Sequence, residues 1–172
     1  MKQLFKKIKK VIQTPNSYAR DNGVKYGKNC LFYTKKFGSE PYLVSFGDNC
    51  EVSYNVDFIT HDGAVWVLRN LYADLKNIDI LKPIVIGDNV FIGANSTVLP
   101  GVTIGNNIIV ASGSIVTKDL EDNSLYGGVP AKRISSLEEY KIKNEKYFVN
   151  TKHLNFADKK EFVMKNILSK KT

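Results

Sequence analysis

Between residues 84 and 118, aliphatic side chains recur at every sixth position: Ile86, Ile92, Val98, Ile104, Val110 and Val116. Ile and Val fill 13 of the 35 positions in this stretch. An arbitrary register would therefore hold about two of six, and this one holds all of them. Glycine follows three of the six, at Gly87, Gly93 and Gly105. A helix turns about 100° per residue and scatters positions six apart over different faces. An extended chain alternates its side chains with period two and keeps those positions on one face. A single strand of that length, interrupted by glycines, is far outside the usual range of about five to six residues. The pattern thus predicts short strands joined by turns, with each corner sending its aliphatic residue inward. Such hexapeptide repeats are a signature of a parallel β-helix.

A looser repeat begins near Val24. Tyr26-Gly27-Lys28-Asn29-Cys30 and Phe46-Gly47-Asp48-Asn49-Cys50 share the form of Ile86-Gly87-Asp88-Asn89-Val90, and Phe46, Val52 and Phe58 keep the six-residue spacing. Cys30 and Cys50 occupy equivalent places, which reads as buried core rather than a disulfide framework or a zinc site. Residues 35–41 are expected to loop out or distort one corner. At His61 the rhythm stops, and residues 62–82 form an insertion whose Trp66, Val67, Leu68, Leu71, Tyr72 and Leu75 predict an ordered, packed arm. Pro83 restarts the repeat.

The ends read as helical. Residues 2–12 carry Leu4, Phe5, Ile8, Val11 and Ile12 on one face and five lysines around the rest, with Pro15 as a stop. Two readings are open: a cap over the first coil, or weak association of residues 1–12 with an anionic membrane surface. Residues 123–134 form a corner segment. Helices are then predicted over 135–150, from the Ser-x-x-Glu patterns at Ser135/Glu138 and Ser136/Glu139, and over 158–170 from Asp158.

The 172 residues fit one domain: an N-terminal cap over 1–15, coils over 24–134 and a helical segment over 135–172. The net charge of +8 favours anionic partners without choosing among them. No transmembrane stretch, signal peptide or recognised nucleic-acid motif is present, so a cytoplasmic protein with no nucleic-acid partner is expected.

Residues 84–134 resemble the hexapeptide-repeat acetyltransferases. The resemblance rests on Ile86-Gly87-Asp88-Asn89-Val90-Phe91-Ile92-Gly93-Ala94-Asn95, Leu99-Pro100-Gly101-Val102-Thr103-Ile104-Gly105, Ala111-Ser112-Gly113-Ser114-Ile115-Val116-Thr117-Lys118-Asp119 and Gly128-Val129-Pro130-Ala131-Lys132. The segment Phe58-Ile59-Thr60-His61-Asp62-Gly63 with Val65-Trp66-Val67 looks most like the O-acetyltransferases of bacterial capsule and lipopolysaccharide synthesis. The resemblance implies an all-β solenoid: a left-handed parallel β-helix with three flat sheets, assembled as a homotrimer. It also implies acetyl-CoA in a groove between two subunits, so that each site draws on both. The short N-terminal helix departs from the helical substrate-recognition extension of maltose and galactoside acetyltransferases, which leaves the acceptor open.

Acetyl transfer to a sugar hydroxyl needs a base, oxyanion donors and a groove that aligns the thioester. His61 is the candidate base, because an imidazole of ordinary pKa near 6.5 is largely a neutral acceptor at pH 7. It also stands where the resembling family carries its catalytic histidine. The family motif places Asn55 as a catalytic or acceptor-binding residue, with a turn-forming asparagine as its plainer reading. Asp57 and Asp62 are candidate carboxylate partners of His61. Trp66 is a candidate for stacking on a sugar, against simple packing, and Arg69 for meeting an acceptor phosphate. Ala94 maps to a backbone oxyanion donor, Ala111 and Ser112 to the pantetheine wall, and Thr117, Lys118 and Lys132 to the nucleotide end of CoA, with Pro130 shaping the corner. His153 reads as a surface residue. No metal is required: two histidines 92 positions apart do not make the three-ligand zinc site of the γ-class carbonic anhydrases on this scaffold. Amino-sugar N-acetylation, antibiotic acetylation and a non-catalytic scaffold are the alternatives.

Overall fold

A computed structural model describes residues 12–168, and the predicted helix over 2–12 lies almost wholly outside them. The chain divides into two compact units, Met1–Tyr140 and Lys141–Thr172.

The first unit opens with α1 (Pro15–Asp21). Proline stands here at the start of a helix. Its fixed φ and missing N–H suit the first turn, and the Thr14 side chain caps that turn by accepting from the Ser17 N–H at 3.2 Å. Eleven short strands follow in parallel: β1 (Leu31–Phe32), β2 (Val44–Phe46), β3 (Glu51–Val52), β4 (Asp57–Phe58), β5 (Ile84–Ile86), β6 (Val90–Ile92), β7 (Thr97–Val98), β8 (Thr103–Ile104), β9 (Ile108–Val110), β10 (Ile115–Val116) and β11 (Ser124–Gly127). The chain visits three sheets in rotation. The first sheet holds β2, β5 and β8, the second β1, β3, β6, β9 and β11, and the third β4, β7 and β10. Stacked coils pair in register, as in Val90↔Ile108 and Ile115↔Thr97.

All six residues of the main repeat point inward, and none is more than 2% exposed. Each such burial is worth about 1.5–3 kcal/mol relative to exposure. The early coils are filled by Phe32, Phe37, Phe46 and Phe58, with Phe37 and Phe58 stacked at 5.6 Å. These larger side chains explain why the early repeat is less regular.

The Gly-Asp-Asn corners have a specific cause. The carboxylate of Asp48 accepts from the Lys28 N–H at 2.7 Å, that of Asp88 from the Asp48 N–H at 2.6 Å, and that of Asp122 from the Asn106 N–H at 2.7 Å. A Cβ on Gly27, Gly47 or Gly105 would lie 1.9–2.0 Å from these oxygens, so only glycine lets the coils approach. The asparagines take positive φ, 54° at Asn29 to 58° at Asn123, and bond to one another from coil to coil. Short polar side chains tolerate this conformation.

Strand β12 (Lys132–Ser136) returns antiparallel to β11 where the sequence predicts the start of a helix. Helix α3 begins later, at Leu137, and runs to Asn144. Ser136 closes the capping box: its hydroxyl accepts from the Glu139 N–H at 3.1 Å, and the Glu139 carboxylate accepts from the Ser136 N–H at 2.7 Å. The Ser136 N–H and the Ser136 hydroxyl, which also donates to the carboxylate at 3.0 Å, hold the Glu139 carboxyl below its ordinary pKa.

In the second unit, α4 (Phe156–Val163) starts two residues before the predicted Asp158, because Asn155 caps it by accepting from the Asp158 N–H at 3.0 Å. His153 is exposed. Among the described residues, no helix is long and apolar enough to cross a membrane.

Candidate active site

His61 follows β4 at the corner between the third and first sheets, where the arm leaves the coils. The arm closes on itself there. His61 bridges Leu81 antiparallel, the Asp62 N–H donates to Ile80 O at 2.9 Å, and the Lys82 N–H donates to Thr60 O at 3.1 Å. Within the arm, α2 (Val65–Leu71) is anchored by buried Val65. The arm is ordered, but the expected packing is absent from the single chain. Trp66 and Leu71 are each 67% exposed, because the seven-residue helix turns them away from its one buried anchor.

The carboxylate at His61 is Asp79, which the sequence reading missed. Its Oδ1 lies 3.2 Å from His61 Nε2 and also contacts the Arg69 guanidinium. The separation is within ion-pair range, yet no hydrogen bond of acceptable geometry forms, and Nε2 is a buried nitrogen without an aligned partner. Arg69 is fixed by donating from Nε to Ile78 O at 2.7 Å. Of the two carboxylates considered from sequence, Asp57 sits 3.9 Å from Lys36 Nζ, and Asp62 accepts from the Ala64 N–H at 3.0 Å. The antiparallel closure of the arm delivers Asp79, and no periodicity could have marked it.

Ala94, Ala111 and Ser112 lie at a different corner, between the second and third sheets. The Gly113 N–H donates to Ala94 O at 2.8 Å, and a Cβ on Gly93 would fall 2.5 Å from Ser112 N. Asn55 belongs to this corner, one coil before Ala94. Its amide donates to Asn95 Oδ1 at 2.8 Å and accepts from Lys36 Nζ at 2.6 Å.

Thr117 and Lys118 share the corner column of His61. The register Phe58↔Val98↔Val116 puts them two coils away, about 10 Å at ordinary strand spacing. Pro130 follows a cis peptide bond, and the Ala131 N–H donates to Ile115 O at 2.8 Å, seating that turn on the last coil. Lys132 pairs with Gly127 and is exposed. One chain therefore presents its candidate residues in two groups on opposite edges of the third sheet: His61, Thr117 and Lys118 on one, Asn55, Ala94, Ala111 and Ser112 on the other. A cavity of about 290 Å³ on the second sheet, lined by Glu51, Phe91, Ile109 and Leu137, includes none of them.

A sequence profile described as the hexapeptide repeat of succinyl-transferase matches residues 83–118. Protein CapG of Staphylococcus aureus is 45% identical over 167 residues, 95% of each chain. The galactoside O-acetyltransferase of Escherichia coli (strain K12) is 31% identical over 130 residues, 74% of this chain and 61% of its own. A solved hexapeptide-repeat-containing acetyltransferase of Vibrio cholerae O1 biovar eltor, complexed with acetyl coenzyme A, matches with a TM-score of 0.53 at 29% identity, over 67% of this chain and 61% of that one. The chain thus spans nearly all of CapG and about three fifths of the other two. Repeat, coil register and relatives agree: the chain belongs to the hexapeptide-repeat acetyltransferase family and is an acyltransferase.

Proposed function

We propose that this protein transfers acetyl from acetyl-CoA to a sugar hydroxyl by direct attack, with His61 as general base, in surface polysaccharide biosynthesis. The observation that carries this reading is the His61 imidazole at the point where the arm leaves the coils, with Nε2 3.2 Å from Asp79 Oδ1. A carboxylate on that side favours Nε2–H, and the opposite nitrogen, Nδ1, takes the proton of the acceptor hydroxyl. Asp79 positions the imidazole, and Arg69, in contact with the same Oδ1, works through Asp79.

The donor groove fits a long, thin ligand. Small side chains at Ala94, Ala111 and Ser112 on one edge leave room for a pantetheine arm, while exposed Thr117 and Lys118, on the opposite edge and contributed by the neighbouring subunit, suit phosphates together with exposed Lys132. Acetyl-CoA supplies the activated acyl carbonyl. The backbone N–H of Ala94 stabilises its oxygen as negative charge develops, and the proton taken by His61 goes to the departing thiolate. Asn55 contacts the acceptor through the amide hydrogen that its corner bond leaves free.

The two half-sites meet in a cyclic homotrimer of left-handed coils with its threefold axis along them. Each site then joins one edge to His61 of the partner subunit. The galactoside O-acetyltransferase relative supports an oxygen acceptor on a sugar. The free thiols of Cys30 and Cys50 fit a reducing, cytoplasmic setting. Thiol release from acetyl-CoA across mono-, oligo- and nucleotide sugars tests the reading. A folded His61→Ala protein is expected to lose a factor of about 10² to 10⁴ in kcat. A near-normal kcat overturns the assignment.

A further inference from the structure

The edge that carries Ala94 changes character along its length. Counting coils toward the C-terminus, the corner holds Tyr54, Ala94, Ser112 and Gly128 at equivalent positions, and in the coil before them Tyr33 stands one position earlier, beside Tyr54. The registers Phe32↔Val52↔Ile92↔Val110 and the bond from the Asn95 N–H to Tyr54 O at 3.0 Å fix that order. Small residues fill the half toward the C-terminus. The other half carries two tyrosines whose ring centroids lie 4.7 Å apart at 36°, with Tyr54 63% exposed and Tyr33 37%. Together they form one continuous aromatic face in a polar corner. Lys36, Asn55 and Asp57 border it, joined by Lys36 Nζ donating to Asn55 Oδ1 at 2.6 Å.

We infer that Tyr33 and Tyr54 form the acceptor platform, on which a pyranose ring lies flat. This rests on the acetyl-transfer reading above and names the acceptor half of that site. A pyranose has an apolar face of C–H groups and a rim of hydroxyls. The paired rings take the face, and Lys36, Asn55 and Asp57 take the hydroxyls. Position supports the same assignment. Tyr54 and His61 belong to one coil, and rotation about an axis along the coils keeps every residue at its own level. A ring on Tyr54 therefore lies level with His61 of the partner subunit, one coil from Ala94 and the thioester. The tyrosines also select for shape: a flat-faced ring is held, and an open-chain polyol with the same hydroxyls is not.

Saturation-transfer NMR with methyl β-D-glucopyranoside, methyl β-D-galactopyranoside and sorbitol, beside calorimetry with acetyl-CoA, tests this on the full chain. Wild-type protein is expected to transfer saturation to the ring protons of at least one pyranoside and not to sorbitol. Tyr54→Ala weakens pyranoside binding about tenfold, Tyr54→Phe retains it, and neither changes acetyl-CoA affinity. Unchanged pyranoside binding in Tyr54→Ala overturns the platform. So does a wild-type protein that binds acetyl-CoA and no pyranoside, or a loss that follows Trp66→Ala instead. Failure of acetyl-CoA to bind overturns the donor reading alone, because the pyranoside signals still judge Tyr54.

Discussion

The coils over residues 84–118 and the arm over residues 62–82 are built on opposite logic. In the coils, each residue is fixed by its equivalent in the next turn. Ile92 is fully buried, and the Asp88 N–H is bonded by Asn106 Oδ1 at 2.8 Å from eighteen residues on. The arm hangs from two backbone hydrogen bonds at its base and one buried valine, and it exposes most of its apolar surface. Repetition stabilises a scaffold, and the interruption in it brings together unlike groups: an imidazole, a carboxylate and a guanidinium. Chemistry collects where the repeat fails.

Substitutions in the two regions sharpen this contrast. Ile92→Ala leaves a cavity in the coil stack and is expected to cost about 2–5 kcal/mol, read by denaturant unfolding. A loss below about 1 kcal/mol would mean that the coils are not close-packed. In the arm, Asp79→Asn is expected to lower kcat about tenfold with both KM values unchanged, since His61 loses only its positioning contact. A change confined to KM would instead put Asp79 on the substrate.

Back in the coils, burial pushes the Cys50 thiol up to about 12. The folded state favours the protonated thiol, so the stability it contributes is whole below the ordinary thiol range and is lost as pH rises through about 12. Native iodoacetamide labelling at pH 8, followed by mass spectrometry, is expected to modify half-buried Cys30 and spare Cys50. Equal labelling would show that the second sheet opens. Smallest of all, Trp66→Ala should shift stability by less than about 0.5 kcal/mol, because so much of the indole is already in water. A larger loss would mean that the arm is packed in solution.

The same contrast decides what was readable from sequence. The inward set was visible because the coil repeats it, and the glycines of the Gly-Asp-Asn corners mark a close approach that every turn shares. Asp79 was invisible because one antiparallel bridge, His61↔Leu81, brings it to His61. The late start of α3 has a local reason: Ser136 caps the helix, but Ser135 offers the same Ser-x-x-Glu pattern one residue earlier. The distribution of the candidate residues over two edges became apparent only from strand register. Residues close in sequence, such as Asn55 and His61, stand on opposite sides of the third sheet.

The shared site is tested most directly by mixing two inactive proteins, His61→Ala and Ala94→Trp, through co-expression with separate tags and purification of mixed assemblies. If each site takes His61 from one subunit and the Ala94 edge from its neighbour, every mixed trimer keeps one intact site of its three, and the purified mixed assemblies recover about a third of wild-type activity. Mixed assemblies that remain inactive would contradict the account, because both half-sites would then have to belong to one chain.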